Sequence, residues 1–127
     1  MSARLKSRMD DEKLVIYEKW GDCAKDAYNL LRKFPSEERF VLCAQIREVV
    51  MDVGNLILDI NEERMPEQKL RMAARLDSRI RRVRALFKVA LKFGYISQKN
   101  YLVICEKWIE IGRILGGWKK SFQPRRY

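Results

Sequence analysis

In the last quarter of the chain, Tyr101, Ile104, Trp108, Ile111, Leu115 and Trp118 follow one another in alternating steps of three and four residues, without an exception. At about 100° per residue that alternation keeps the large apolar groups on one stripe of an α-helix, whereas a strand would send them to both faces. A helix with such a stripe must bury it against other elements. The partners it needs are in the same chain.

Three earlier segments repeat the period. Between residues 10 and 33 the apolar positions are Ile16, Trp20, Cys23, Ala27 and Leu30, and Asp10 and Asp11 suit the positive end of a helix dipole. This segment stops at Phe34-Pro35-Ser36, because the residue before a proline is pushed out of helical geometry. Ser36 is then placed to cap a second helix over residues 37–63, with Glu37 and Glu38 in its first turn and Cys43, Ile46, Val50, Val53, Ile57 and Ile60 on its apolar stripe. After Met65-Pro66 a third helix, over residues 67–93, buries Ala73, Leu76, Ile80, Val83, Phe87 and Ala90. Gly94 supplies a left-handed C-terminal cap, and Ser97 opens the fourth helix over residues 98–121. The connections are short enough to force neighbouring helices antiparallel, so the expected fold is all-α, an up-down-up-down four-helix bundle. The 127 residues form one domain, with basic, mobile ends at 1–9 and 122–127.

Charge is divided unevenly along this scaffold. Residues 1–66 carry eleven Lys/Arg against thirteen Asp/Glu, whereas residues 67–127 carry sixteen against four, a net charge of +12. So one-sided an excess is the electrostatic footprint of a partner with phosphate groups, or of an anionic lipid surface. The excess concentrates on the third helix. With Arg71 at zero, Arg71, Arg75, Arg79 and Arg82 fall within about 80°, and Arg81, Arg84, Lys88 and Lys92 fall at about 220–300°, on either side of the apolar stripe. The helix therefore presents two cationic rails. Like charges four residues apart repel by a few tenths of a kcal/mol per pair, so the rails call for an anionic partner. Arginine predominates, and its forked donors match phosphate oxygens. The candidate binding residues are Arg71, Arg75, Arg79, Arg81, Arg82, Arg84 and Lys88. A bland account of one rail is that it pairs with Asp52, Asp59 and Glu63 on the second helix.

Catalytic chemistry finds little support. The chain has no histidine, which removes the commonest general base and the Glu-x-x-His ligands of bundle di-iron sites. Cys23, Cys43 and Cys105 stand singly on apolar registers and read as buried hydrophobes, neither disulfides nor zinc ligands. Glu48, Asp52 and Asp59 are spaced to approach one face, where a divalent cation could in principle use them, but carboxylates on a solvated helix surface are far commoner. No catalytic residue, metal or cofactor is expected. The N-terminal stretch lacks an apolar signal core and no run spans a bilayer, which leads to the expectation of a soluble, cytoplasmic protein without a membrane role. Gly112, Gly116 and Gly117 are costly inside a helix, and Gly112 with Gly116 reads as a face for close approach of another helix, from this chain or from a second subunit.

Particular stretches carry a resemblance. The Phe34-Pro35-Ser36-Glu37-Glu38-Arg39 corner, Gln45-Ile46-Arg47 and the Gly94-Tyr95-Ile96-Ser97 turn resemble the four-helix bundle proteins encoded in ribosomal RNA intervening sequences. The closing Ile111-Gly112-Arg113-Ile114-Leu115-Gly116-Gly117-Trp118 is similar to the end of the accessory variability determinants, Avd, of diversity-generating retroelements. That resemblance implies a homopentameric, barrel-like assembly with a basic surface. It also implies partners, namely RNA or DNA and the retroelement's reverse transcriptase, during mutagenic copying. The alternative is an intervening-sequence-type interaction protein with no nucleic-acid role. Where the intervening-sequence proteins commonly have a Ser-Asn-Ile-Ala-Glu-like stretch, this chain has Gly54-Asn55-Leu56-Ile57, and its helix-three arginines match no strict family motif.

Overall fold

The computed structural model describes residues 3–122, with side chains from Val15 onward. Four helices run in order: α1 over Ala3–Leu31, α2 over Leu42–Glu62, α3 over Pro66–Lys92 and α4 over Gln98–Lys120. There is no strand among the described residues. Each helix packs on its neighbours in a closed ring, α1 on α2, α2 on α3, α3 on α4 and α4 on α1, with no diagonal contact among the described residues. Antiparallel pairing shows in the contacts themselves. Moving down α2 from Asp52 to Ile60, the α3 partner moves back from Arg79 to Lys69.

One continuous core fills the ring. Every apolar position expected on α2 and α3 is buried, as are Ile104, Trp108, Ile111 and Leu115 of α4. Tyr101 and Trp118, at the ends of the α4 stripe, are only partly buried against that core. On α1 the last buried leucine is Leu31 and not the expected Leu30, a shift favoured by the drift of a 3.6-residue period, about 40° over four turns, against a strict 3.5-residue repeat. Close packing shows where the Trp20 indole crosses Gly54. Its Nε1–H donates to the Val50 carbonyl at 2.8 Å, which leaves no space for a side chain at position 54.

Three boundaries differ from expectation. α1 begins at Ala3, so Asp10 and Asp11 lie within the helix and not at its start; no proline or glycine precedes them to interrupt it. Of the ends expected to be mobile, residues 3–9 belong to α1, Phe122 is buried against the core, and residues 1–2 and 123–127 lie outside the described residues. The α1–α2 corner is also longer than expected. Ser36 does not cap α2; it opens a single 3-10 turn, Ser36–Glu38, and α2 starts after Val41 without a side-chain cap. Proline fixes the backbone at position 35, and the chain needs the extra turn to bring Leu42 and Cys43 under the core. The other caps follow the sequence. Pro66 sits in the first turn of α3, and Ser97 Oγ accepts the Asn100 amide at 3.0 Å. Gly94 adopts φ +79°, with the Tyr95 and Gly94 amides closing onto the Ala90 and Leu91 carbonyls as in a Schellman cap.

Candidate functional site

Because α3 buries Ala73, Leu76, Ile80, Val83, Phe87 and Ala90, its orientation in the ring is fixed and the basic residues have one place to go. Arg71, Arg75, Arg81, Arg82 and Lys88 are exposed on the outer surface, and Lys92 joins them at the C-terminal end. Between the rails run Ala74, Ser78 and Ala85, whose short side chains leave the flanking guanidinium groups clear of obstruction on the outer face. Two members of the rails stand apart. Arg79 and Arg84 are half-buried, at the joints of α3 with α2 and with α4 respectively.

The joints explain how the rails are compensated. Arg79 Nε lies 3.9 Å from Asp52 Oδ2 of α2, and Arg75 lines the same cleft with Asp52 and Asp59. One rail is thus partly paired with the acidic side of α2, through Asp52 as expected; Glu63 has no ion pair with it among the described residues. On the other rail, Arg81 pairs with Asp77 one turn earlier at 2.8 Å. Lys88 sits over the Tyr101 ring, 5.2 Å from its centroid, a cation–π contact worth about 0.5–1 kcal/mol at an exposed site. Arg84 Nε is buried against α4 with no hydrogen-bond partner among the described residues. Arg71, Arg75 and Arg82 have no ion pair among the described residues. Pairing therefore consumes Arg79 and Arg81 and leaves most of the outer face electropositive.

Elsewhere some charged groups are paired within the bundle. Lys107 of α4 pairs with Asp26 of α1, and Arg113 pairs with Glu106 and Glu110 along α4. All three cysteines are buried and unpaired. Burial, with the Asp26 carboxylate beside it, pushes the Cys23 thiol up to about 11, and burial raises Cys43 as well. Neither is a nucleophile at neutral pH. Glu48, Asp52 and Asp59 do not form a metal site, since no three His, Cys, Asp or Glu side chains come together for one among the described residues. The three turns between these carboxylates on one straight helix hold them apart, and Asp52 is engaged by Arg79. Gly112, Gly116 and Gly117 have open space where a Cβ would stand, so among the described residues no helix of the same chain approaches them closely, contrary to one of the two expectations for that face. Among the described residues no helix is long and apolar enough to cross a membrane.

A second group of cations had no signature in the spacing. Arg32, Arg39 and Arg47 come from the end of α1, the corner turn and α2, and meet around one cavity only because the corner folds as it does.

No curated protein matches the chain. A family described as bAvd-like matches it over residues 14–122, from the middle of α1 to the buried Phe122. This agrees with the resemblance to the accessory variability determinants of diversity-generating retroelements carried by the α4 sequence. Four helices in the expected order, and a match running through nearly all of them, lead to one conclusion: the chain belongs to the bAvd-like family.

Proposed function

We propose that the protein is a non-enzymatic, cytoplasmic accessory factor of a diversity-generating retroelement, binding template RNA or its cDNA, and the reverse transcriptase, through the outer face of α3. The observation that carries the reading is the charge state of that face: five exposed cations, of which only Arg81 has a carboxylate partner among the described residues. Family membership supplies the retroelement context. Phosphate oxygens would give the exposed guanidinium groups charge-assisted hydrogen bonds that the protein itself withholds. A helix locked in a bundle does not enter a groove easily, so backbone contacts should dominate and sequence preference should be slight. Arg71, Arg75, Arg81, Arg82 and Lys88 are the contacting residues; Arg79 and Arg84, held at the helix joints, orient the face. Assembly into a pentameric ring, with the open Gly112–Gly116 surface of α4 available to a second subunit, would multiply the charge without altering the helix.

A salt titration of binding to single-stranded RNA and DNA tests this. Affinity should fall with salt at a logarithmic slope of about 0.7 per phosphate contacted. An Arg71→Gln, Arg75→Gln, Arg82→Gln variant should bind more weakly and with a shallower slope. Equal affinity and equal slope for the two proteins would mean that the face is merely solvated, as in an interaction protein without a nucleic-acid role.

A further inference from the structure

The α1–α2 corner forms a solvent-open cavity of about 420 Å³, within the ~300–1,000 Å³ of ordinary small-molecule sites. Tyr28, Arg32, Phe34, Arg39, Cys43 and Arg47 line it, and no carboxylate does. None of the three arginines has an ion pair among the described residues. Arg47 is held in place, its guanidinium donating to the Arg39 carbonyl at 2.8 Å. Of the two acidic groups of the corner turn, Glu38 accepts from the Tyr95 hydroxyl at 2.7 Å and Glu37 is exposed, and neither lines the cavity. Cys43 belongs to the first turn of α2, the helix that starts without a side-chain cap, so the positive end of its dipole adds to the same field. Burial raises the Cys43 thiol, Glu38 adds to the rise, and Arg47 and Arg39 act against it, which places both cations, with the Tyr95-bound Glu38, near the cavity wall.

We propose that this corner cavity is a nucleotide site, in which Arg32, Arg39 and Arg47 hold a phosphate and the base lies against the Tyr28 ring. Three forked donors exceed what a single carboxylate can use and suit the oxygens of a phosphate monoester. An aromatic wall beside them suits a planar base, which stacks without regard to its identity. The cavity is far too small for a duplex. Its occupant is a free mononucleotide or the 5′-terminal nucleotide of a single strand, which share this chemistry. The site lies on α1 and α2 and no residue of α3 lines it, so it stands apart from the basic outer face and from the function proposed for that face.

Isothermal titration of the full-length protein with AMP, adenosine and inorganic phosphate tests the site. AMP should bind saturably, with adenosine and phosphate each weaker by about tenfold or more, the scale of losing charge-assisted hydrogen bonds or stacking. Arg32→Ala with Arg39→Ala, both exposed and without an ion pair, should reduce AMP binding by a similar factor and leave helicity unchanged. The Arg71, Arg75, Arg82 variant of α3 should bind AMP like the wild type. A second arm compares an oligonucleotide with a 5′-phosphate against the same strand with a 5′-hydroxyl. Preference for the phosphate that vanishes in the Arg32, Arg39 variant assigns the site to strand ends; AMP binding without that preference assigns it to free nucleotides. Absence of AMP binding together with indifference to the 5′-phosphate, or binding unaffected by the Arg32, Arg39 variant, overturns the proposal.

Discussion

Substituting alanine for glycine inside a helix usually stabilises it, by about 0.8–1 kcal/mol, so Gly54→Ala in the middle of α2 would be expected to help. The structure predicts the reverse. A Cβ at position 54 would stand 2.6 Å from Trp20 Cε2 and 2.7 Å from Cη2, well inside van der Waals contact. The indole cannot turn aside cheaply, because its Nε1–H is committed to the Val50 carbonyl and its ring stacks on Tyr17 at 5.0 Å. Overpacking a filled core costs about 1–3 kcal/mol, and displacing the indole adds about 1 kcal/mol for the hydrogen bond. Setting the helix gain against these costs leaves a net destabilisation of about 1–3 kcal/mol. Urea unfolding followed by circular dichroism reads it directly, as a lower midpoint at unchanged slope. Gly117→Ala, where the added methyl meets nothing within 4 Å, serves as the control and should raise stability or leave it level. A Gly54→Ala protein as stable as the wild type would refute the argument, since it would mean that Trp20 has room to move.

Alanine at Gly112 and Gly116 should leave the isolated fold intact, because both positions are open, yet weaken self-association if that face meets a second subunit. Sedimentation of the double variant and the wild type over a range of concentrations reads the difference, and identical distributions would remove the glycine face from the interface. Stability should also fall in alkali. Cys23 is raised from 9.0 to about 11 by burial, with Asp26 adding to it, so between those values the unfolded chain loses a proton that the folded chain keeps. Tyr95 is raised from 10.0 to about 12 by donating to Glu38, and does the same one pH unit higher. Urea midpoints should therefore hold up to pH 9 and decline from pH 9 to pH 12, with Tyr95→Phe flattening the upper part of that decline.

The apolar stripes of α2, α3 and α4 were readable because each is a local property of one helix, repeated often enough for one period to win. Gly94 and Ser97 were readable for a similar reason: a left-handed residue and an N-cap each require a side-chain type within a few positions of the helix end. Ser36 had the same credentials and lost. Whether a serine caps a helix depends on where the next buried residues must lie, and Leu42 and Cys43 could reach the core only after an additional turn. The rails themselves followed from periodicity. Their division into outer cations and joint residues did not, because Arg79 meets Asp52, and Arg84 meets α4, across helices brought together by folding. The Arg32, Arg39 and Arg47 cavity belongs wholly to this second kind of information, since its members lie at the two ends of the α1–α2 corner and on α2.

If the outer cations of α3 serve a partner and not the fold, they should be a cost to the isolated protein. Arg71 and Arg75 lie four residues apart, as do Arg75 and Arg79, and Arg79 and Arg82 lie three apart, so each pair faces along the helix surface. Among the described residues only Arg79 of these four has an interhelical ion pair, and at 3.9 Å with both partners partly exposed it contributes under about 1 kcal/mol. Replacing Arg71, Arg75 and Arg82 by glutamine preserves helix propensity and relieves three like-charge pairs, a gain of about 0.5–1.5 kcal/mol at low ionic strength. Screening shortens the reach of these charges to about 3 Å at 1 M salt, so the gain should disappear there. The variant should therefore unfold at higher urea than the wild type in dilute buffer, match it in concentrated salt, and bind nucleic acid less tightly under both conditions. A variant less stable than the wild type in dilute buffer would show that these arginines hold the bundle together, and that their exposure on the outer face had been misread as availability.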